Sequence, residues 1–320
     1  MAGHDQCVAC CGLTSTCASH GSCCRASARR HDSFALCNMA GSSGLKCHRP
    51  GGGGARQEIC ALRPAPLQIT YLGFPGSCAA DFIDYAIVDA EVVPPDSARH
   101  YTEQLIYMPH CYQCNDNGQS IAPGAPARKE FGLPSQGMVF CSFNGSQKLD
   151  PVMVAAWMRI LGQVPDAVLW LYVNNPWAEE NLKREADARG VAASRLIFAN
   201  GLPKAQHLRR LQLADIALDT RIYNGHTTTS DALWAGVPVV TLRGRHFASR
   251  VSASCLHAIG LPELVTESLS DYEALAVKLA QDGGFLRATR QKLMNNRLSQ
   301  PLFDTARFRS EEHTSELQSH

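Results

Sequence analysis

The chain has 320 residues and a formal net charge of +1, with 45% hydrophobic and 18% charged residues. A balance so close to neutral gives no electrostatic footprint for nucleic acid or an anionic membrane surface, and no apolar run is long enough to span a bilayer. Cysteine is unevenly spread. Cys7, Cys10, Cys11, Cys17, Cys23, Cys24, Cys37, Cys47 and Cys60 fall near the start, and the rest of the chain holds the remaining five of the 14.

Residues 1–52 form the first segment. Cys7-x-x-Cys10 with His20, Cys23, Cys24 and His31 supplies zinc-type donors, but no second clean pair follows. A secreted disulfide module would need a charged n-region and an apolar h-region upstream, and neither is present. The excess of Cys, Ser, Arg and Gly without apolar periodicity points to a stretch read in a non-native frame, which forms no packed core.

From Leu67 the pattern becomes foldable. Residues 67–72 are a β-rich apolar run, Gly73, Pro75 and Gly76 make a tight loop, and 85–88 and 105–108 read as short strands. The run at 67–72 has the composition of an interior strand, yet nothing upstream reads as an apolar strand to cover it. Residues 53–112 are therefore expected to be an incomplete first domain. His110 follows the end of its last strand, where α/β proteins build their sites.

Residues 113–135 are rich in Pro, Gly and Asn and read as a linker. Beyond it, strands at 138–142, 167–173, 196–199, 216–218 and 237–242 alternate with helices at 151–161, 178–189, 204–212 and 228–235. Unbroken β-α alternation predicts a parallel sheet covered by helices, with ligands beyond the carboxyl ends of its strands. The loops at 144–150, 201–207 and 223–229 then share one rim. The last of them, Tyr223-Asn-Gly-His-Thr-Thr-Thr229, runs from a strand into a helix N-terminus, whose free N–H groups and dipole attract anions. Thr228 or Thr229 could simply cap that helix. The cluster supports more than a cap. Gly225 permits close backbone approach, His226 adds a donor, Lys148 and Lys204 add charge, and Asp231 could accept from a sugar hydroxyl pair. A nucleotide diphosphate matches this set.

Several stretches resemble one family. They are ALRPAPLQITYLGFPGS (61–77), YMPH (107–110), FNGSQKLDP (143–151), LPKAQHLRR (202–210), NGHTTTSDALWAGVPVVT (224–241), FASRVSAS (247–254) and PLFDTARF (301–308). In this order they resemble the catalytic region of the O-GlcNAc transferase/SPINDLY-like family, glycosyltransferase family 41, in its short bacterial form. The resemblance implies an α/β, GT-B-like fold with two Rossmann-like domains, the first incomplete here. It implies a protein O-GlcNAc transferase that moves GlcNAc from UDP-GlcNAc to Ser/Thr hydroxyls with inversion and needs no metal or other cofactor. Fucose or glucose as the donor sugar, or a non-catalytic nucleotide-sugar-binding fragment, are the alternatives.

By that resemblance Lys148 and His110 are catalytic, and Leu202, Lys204, His207, Arg210, His226, Thr227, Thr228 and Asp231 bind the donor. His207 would stack near the uracil with Lys204 and Arg210 beside it, Asp231 would hold the ribose, and Lys148 with the Thr227/Thr228 helix end would take the diphosphate charge. Gly145 stands where animal relatives place a glutamine near the donor phosphate. The family's base-bearing loop has no counterpart before Gly53, and Cys47-His48-Arg49-Pro50 does not match it. The expected partners are UDP-GlcNAc and a protein acceptor, with tetratricopeptide repeats upstream, no nucleic acid and no membrane, in the cytoplasm. The C-terminal domain is expected at 136–308. The last twelve residues, RSEEHTSELQSH (309–320), match a translated sequencing adapter, so truncation is expected at both ends.

Overall fold

The computed structural model describes residues 34–37 and 58–318. It divides into two compact units, Met1–Asp116 with Thr305–His320, and Asn117–Asp304. The boundary falls inside the stretch read as a linker, and residues 117–135 pack within the second unit rather than spanning a gap. There Trp234 Nε1 donates to Gln119 O at 3.1 Å and Arg209 Nε to Gly124 O at 2.9 Å.

In the first unit, strands β1 (Phe34–Cys37), β2 (Leu67–Thr70), β3 (Tyr85–Asp89) and β4 (Gln104–Met108) form a parallel sheet in that order, with a short helix α1 (Glu58–Ala61) before β2. This corrects one expectation. Strand β1 lies within 1–52 and pairs from Phe34↔Leu67 to Cys37↔Thr70, so β2 has the upstream neighbour that the sequence reading denied it. Four residues are too few to show periodicity, and only pairing identifies them. The Cys7 to His31 zinc reading lies outside the described residues.

The second unit alternates as expected. Its strands are β5 (Val139–Ser142), β6 (Val168–Tyr172), β7 (Leu196–Ala199), β8 (Ile216–Leu218), β9 (Val239–Leu242) and β10 (Val265–Thr266). The helices are α2 (Pro151–Gln163), α3 (Pro176–Ala188), α4 (Lys204–Leu211), α5 (Thr227–Trp234), α6 (Val251–Ala258), α7 (Leu269–Gln281) and α8 (Gly283–Asn296). The sheet is parallel with order β10-β9-β8-β5-β6-β7. Chain order therefore reverses between β5 and β8, and such a switch point opens a crevice at the strands' carboxyl ends.

Local chemistry sets the helix ends. Asp150 caps α2 by accepting from Val152 N at 3.0 Å, with Pro151 in the first turn. Asn175 Oδ1 accepts from Trp177 N at 2.9 Å, so α3 opens at Pro176, earlier than the pattern at 178 suggested. Gly236 ends α5 in the left-handed region at φ 86°. Trp157, Trp170 and Tyr272 fill the core, and Trp157 Nε1 donates to Tyr272 OH at 3.1 Å. A last helix, α9 (Thr305–Gln318), belongs to the first unit, where Phe308 stacks on Tyr71 with ring centroids 6.2 Å apart. It continues through residues 309–318.

Candidate anion-binding site

The switch point is occupied by the residues that follow β5 and β8. Helix α5 begins at Thr227 with His226 in the N-cap position, and no side chain caps it. The threonines that could have done so are engaged elsewhere. Thr228 Oγ1 donates to Asn144 Oδ1 at 2.8 Å, and Thr229 Oγ1 pairs with Ser252 Oγ at 2.7 Å. The helix N-terminus therefore keeps its positive end available to a ligand. Gly225 is tightly enclosed before it, since a Cβ there would lie 2.6 Å from Thr228 Oγ1 and 2.4 Å from Thr229 Oγ1.

Lys148 arrives from the other side of the switch point, at the end of the short turn Ser146–Lys148 after β5. Its ammonium donates to Asn224 O at 2.7 Å and to Asn144 Oδ1 at 3.4 Å, and stands 4.3 Å from the centre of the Tyr223 ring. Burial lowers its pKa to about 8, against the opposing pull of Asp219. His226 stacks on Tyr223 at 5.0 Å and 17°. Burial, reinforced by Lys148, lowers its pKa to about 3, so the ring is neutral at physiological pH. Its Nε2 is buried and has no hydrogen-bond partner. A buried polar atom of this kind costs stability until a ligand or water satisfies it. Beside a lysine and an uncapped helix, an anion's oxygen is the fitting partner.

A second cluster lines the loop after β7. Lys204, at the start of α4, forms an ion pair with Asp231. Asp231 sits one turn into α5 and is buried, which raises its pKa, while Lys204 pulls it down. The sequence left Asp231 free for a ligand, whereas the fold gives one of its oxygens to Lys204. Arg210 also differs from expectation. It is 3% exposed, with its guanidinium over the Phe143 and Trp170 rings at 4.8 and 6.0 Å. Its Nε donates to His207 Nδ1 at 3.0 Å and its other end to Asn200 O at 2.6 Å. Arg210 therefore stands behind His207 rather than beside it. Burial and the neighbouring cations lower the His207 pKa to about 3, keeping Nδ1 an acceptor. Leu202 is 37% exposed at the rim of the same loop.

His110 lies in the first unit, just past the end of β4. Its Nε2 is 3.4 Å from Glu311 Oε1. The backbone that follows is held to β3, because Tyr112 N donates to Asp89 Oδ2 at 2.7 Å.

Three members of the site were not singled out in the sequence: Asn144, Asp219 and Tyr223. Asn144 and Tyr223 lay inside the rim loops, while Asp219 offered one usable signal, an acidic residue directly after an all-apolar strand. Among the described residues, no group of three or more His, Cys, Asp or Glu side chains could hold a metal ion, and no helix is long and apolar enough to cross a membrane.

The profile of the family described as glycosyl transferase family 41 matches residues 35–123 and 123–311. The chain is 42% identical over 261 residues to an Arabidopsis thaliana protein named "Probable UDP-N-acetylglucosamine--peptide N-acetylglucosaminyltransferase SEC", covering 80% of this chain and 27% of the relative. It is 30% identical over 366 residues to the Caenorhabditis elegans UDP-N-acetylglucosamine--peptide N-acetylglucosaminyltransferase, covering 80% of this chain and 32% of that one. A mutant Thermobaculum terrenum O-GlcNAc transferase of known structure superposes with a TM-score of 0.74 at 33% identity, over 80% of this chain and 49% of that chain. The chain thus spans 27% and 32% of the two curated relatives.

Proposed function

Because this chain belongs to glycosyl transferase family 41, we propose that its second unit holds the nucleotide sugar of an enzyme that transfers GlcNAc from UDP-GlcNAc to Ser and Thr hydroxyls of proteins. Transfer inverts the anomeric carbon and needs no metal. The observation that carries this reading is the unsatisfied His226 Nε2 beside the Lys148 ammonium and the uncapped start of α5. The names of the relatives, which describe transfer from UDP-N-acetylglucosamine to peptides, support the donor and the acceptor class.

In glycosyl transfer the diphosphate gains negative charge as it departs, and preorganised donors stabilise that charge more in the transition state than in the ground state. Lys148, His226, the Thr227 hydroxyl and the N–H groups of Thr227 and Thr228 take this role without a divalent ion. The base lies along Leu202, Lys204 and His207, with Arg210 fixing the His207 tautomer from behind. Asp231 holds the ribose with the carboxylate oxygen that Lys204 leaves free. His110 is the catalytic group of the first unit.

Calorimetry of UDP with the folded chain, in EDTA and again with Mn²⁺, tests the site. Equal affinity in both is expected, and no binding by a folded protein would overturn the assignment. Transfer is tested with UDP-GlcNAc and a Ser/Thr peptide in the same folded chain. UDP binding with no transfer there would make it a binding module instead.

A further inference from the structure

Asp219 is the most enclosed acid of the second unit, and the reaction as described gives it no task. It follows β8 directly and is 2% exposed. Its backbone is clamped on both sides, with its N–H donating to Val240 O at 3.1 Å and its carbonyl accepting from Tyr272 OH at 3.0 Å. Its carboxylate then gathers three strand ends. Oδ1 accepts from Gly225 N at 2.7 Å and from Asn144 Nδ2 at 3.2 Å, while Oδ2 accepts from Thr241 Oγ1 at 2.7 Å.

These contacts determine what faces the ligand. An Asn side chain whose Nδ2 is bound to a carboxylate must turn its Oδ1 away from it, and Asn144 Oδ1 is the atom that receives Thr228 Oγ1 and Lys148 Nζ. The Gly225 N–H, bound to the same carboxylate, fixes the turn that delivers His226 to the start of α5. We propose that Asp219 is a positioning residue for the diphosphate site: it turns Asn144 Oδ1 onto Thr228 and Lys148, fixes the Gly225 turn, and stands as the buried counter-charge behind Lys148. The inference rests on the nucleotide-diphosphate reading of that site.

The other groups facing Lys148 cannot supply that charge. Tyr223 meets it with a neutral ring, and His226 is neutral. Asp150, on the adjoining cap of α2, is already held by Arg221 through contacts of 2.9 to 3.1 Å. Burial pushes the Asp219 carboxyl up, and donors from Gly225, Ser252, Thr241 and Thr220 oppose that push. Removing its charge withdraws the negative charge that opposes the desolvation of Lys148.

Asp219→Asn in the full chain tests this with two readouts. The amide can still accept from Gly225 and donate to Thr241, so the turn can form without the charge. UDP affinity is expected to fall roughly tenfold, and the pH midpoint for acylation of the Lys148 amine, followed by mass spectrometry, to drop by about one unit. A purely structural aspartate would lower thermal stability and leave the midpoint where it was. Unchanged affinity together with an unchanged midpoint overturns the proposal. If the unaltered chain does not bind UDP, the nucleotide reading falls, and the labelling midpoint alone decides the role of Asp219: a shift supports it, no shift refutes it. If D219N does not fold, Asn144→Ala retains the carboxylate and its Gly225 bond while cutting the link to Lys148. That variant must also lower the midpoint, and an unmoved midpoint refutes the relay.

Discussion

Replacing Lys148 by Ala tests the charge argument at its centre. The ammonium sits 2.7 Å from Asn224 O and 3.4 Å from Asn144 Oδ1, held between two oxygens with Asp219 behind it. A preorganised donor of this kind is worth about 2.7–4 kcal/mol where charge develops, which corresponds to roughly 10²–10³ in kcat. The ground-state diphosphate already carries charge, so its affinity falls too, but by about tenfold or less. The substitution also takes a donor from the Asn224 carbonyl inside the site, at a cost of about 1–3 kcal/mol in folding stability. Thermal unfolding of the variant must therefore accompany the kinetics. Steady-state rates with UDP-GlcNAc and a peptide, beside UDP calorimetry, separate the two effects. A raised KM with unchanged kcat would refute the leaving-group role.

Other consequences follow from the same geometry. Lys148 has a folded pKa of about 8 against an ordinary 10.5, so its ammonium is disfavoured by folding. Its contribution to stability accordingly improves as pH rises from about 8 toward 10.5, whereas UDP binding that needs the ammonium weakens over the same window. Calorimetry at pH 8 to 9 in buffers of different ionisation heat should then show proton uptake on binding, and none would mean the lysine does not meet the phosphates. His226 and His207, both lowered to about 3, are neutral above that value. Affinity for UDP-GlcNAc, whose diphosphate diester has no group titrating near pH 6, should thus be flat between about pH 5 and 7, and a histidine-like step there would contradict the burial that sets these values. Gly225→Ala forces a Cβ to 2.4 Å from Thr229 Oγ1 and 2.6 Å from Thr228 Oγ1. We expect UDP affinity to drop more than about tenfold, since the start of α5 must move; unchanged binding would show that this turn does not touch the ligand.

The alternation of the second unit, its rim loops and the turn into α5 were legible in the residues, because apolar period and helix-start chemistry are local properties. Lys148 and His226 were legible for the same reason, as a lysine and a histidine in loops that follow strands. The region after Leu242 was not. Helix α6 is buried over nearly its whole length, with a sequence, VSASCLHA, that presents no polar face to reveal a period. Strand β1 was hidden by its length.

Sequence alone determined that this protein carries a parallel, helix-covered sheet, and which side chains the loops at one rim make available. Only the tertiary structure decided how those side chains are spent. Strand order brings β5 beside β8, so Asn144 meets Asp219 from 75 positions away and Lys148 reaches the Asn224 carbonyl. It also turns Lys204 onto Asp231 and buries Arg210 behind His207. Periodicity reports which face of an element is covered, but not which distant element covers it. The partner of a buried charge depends on that second fact.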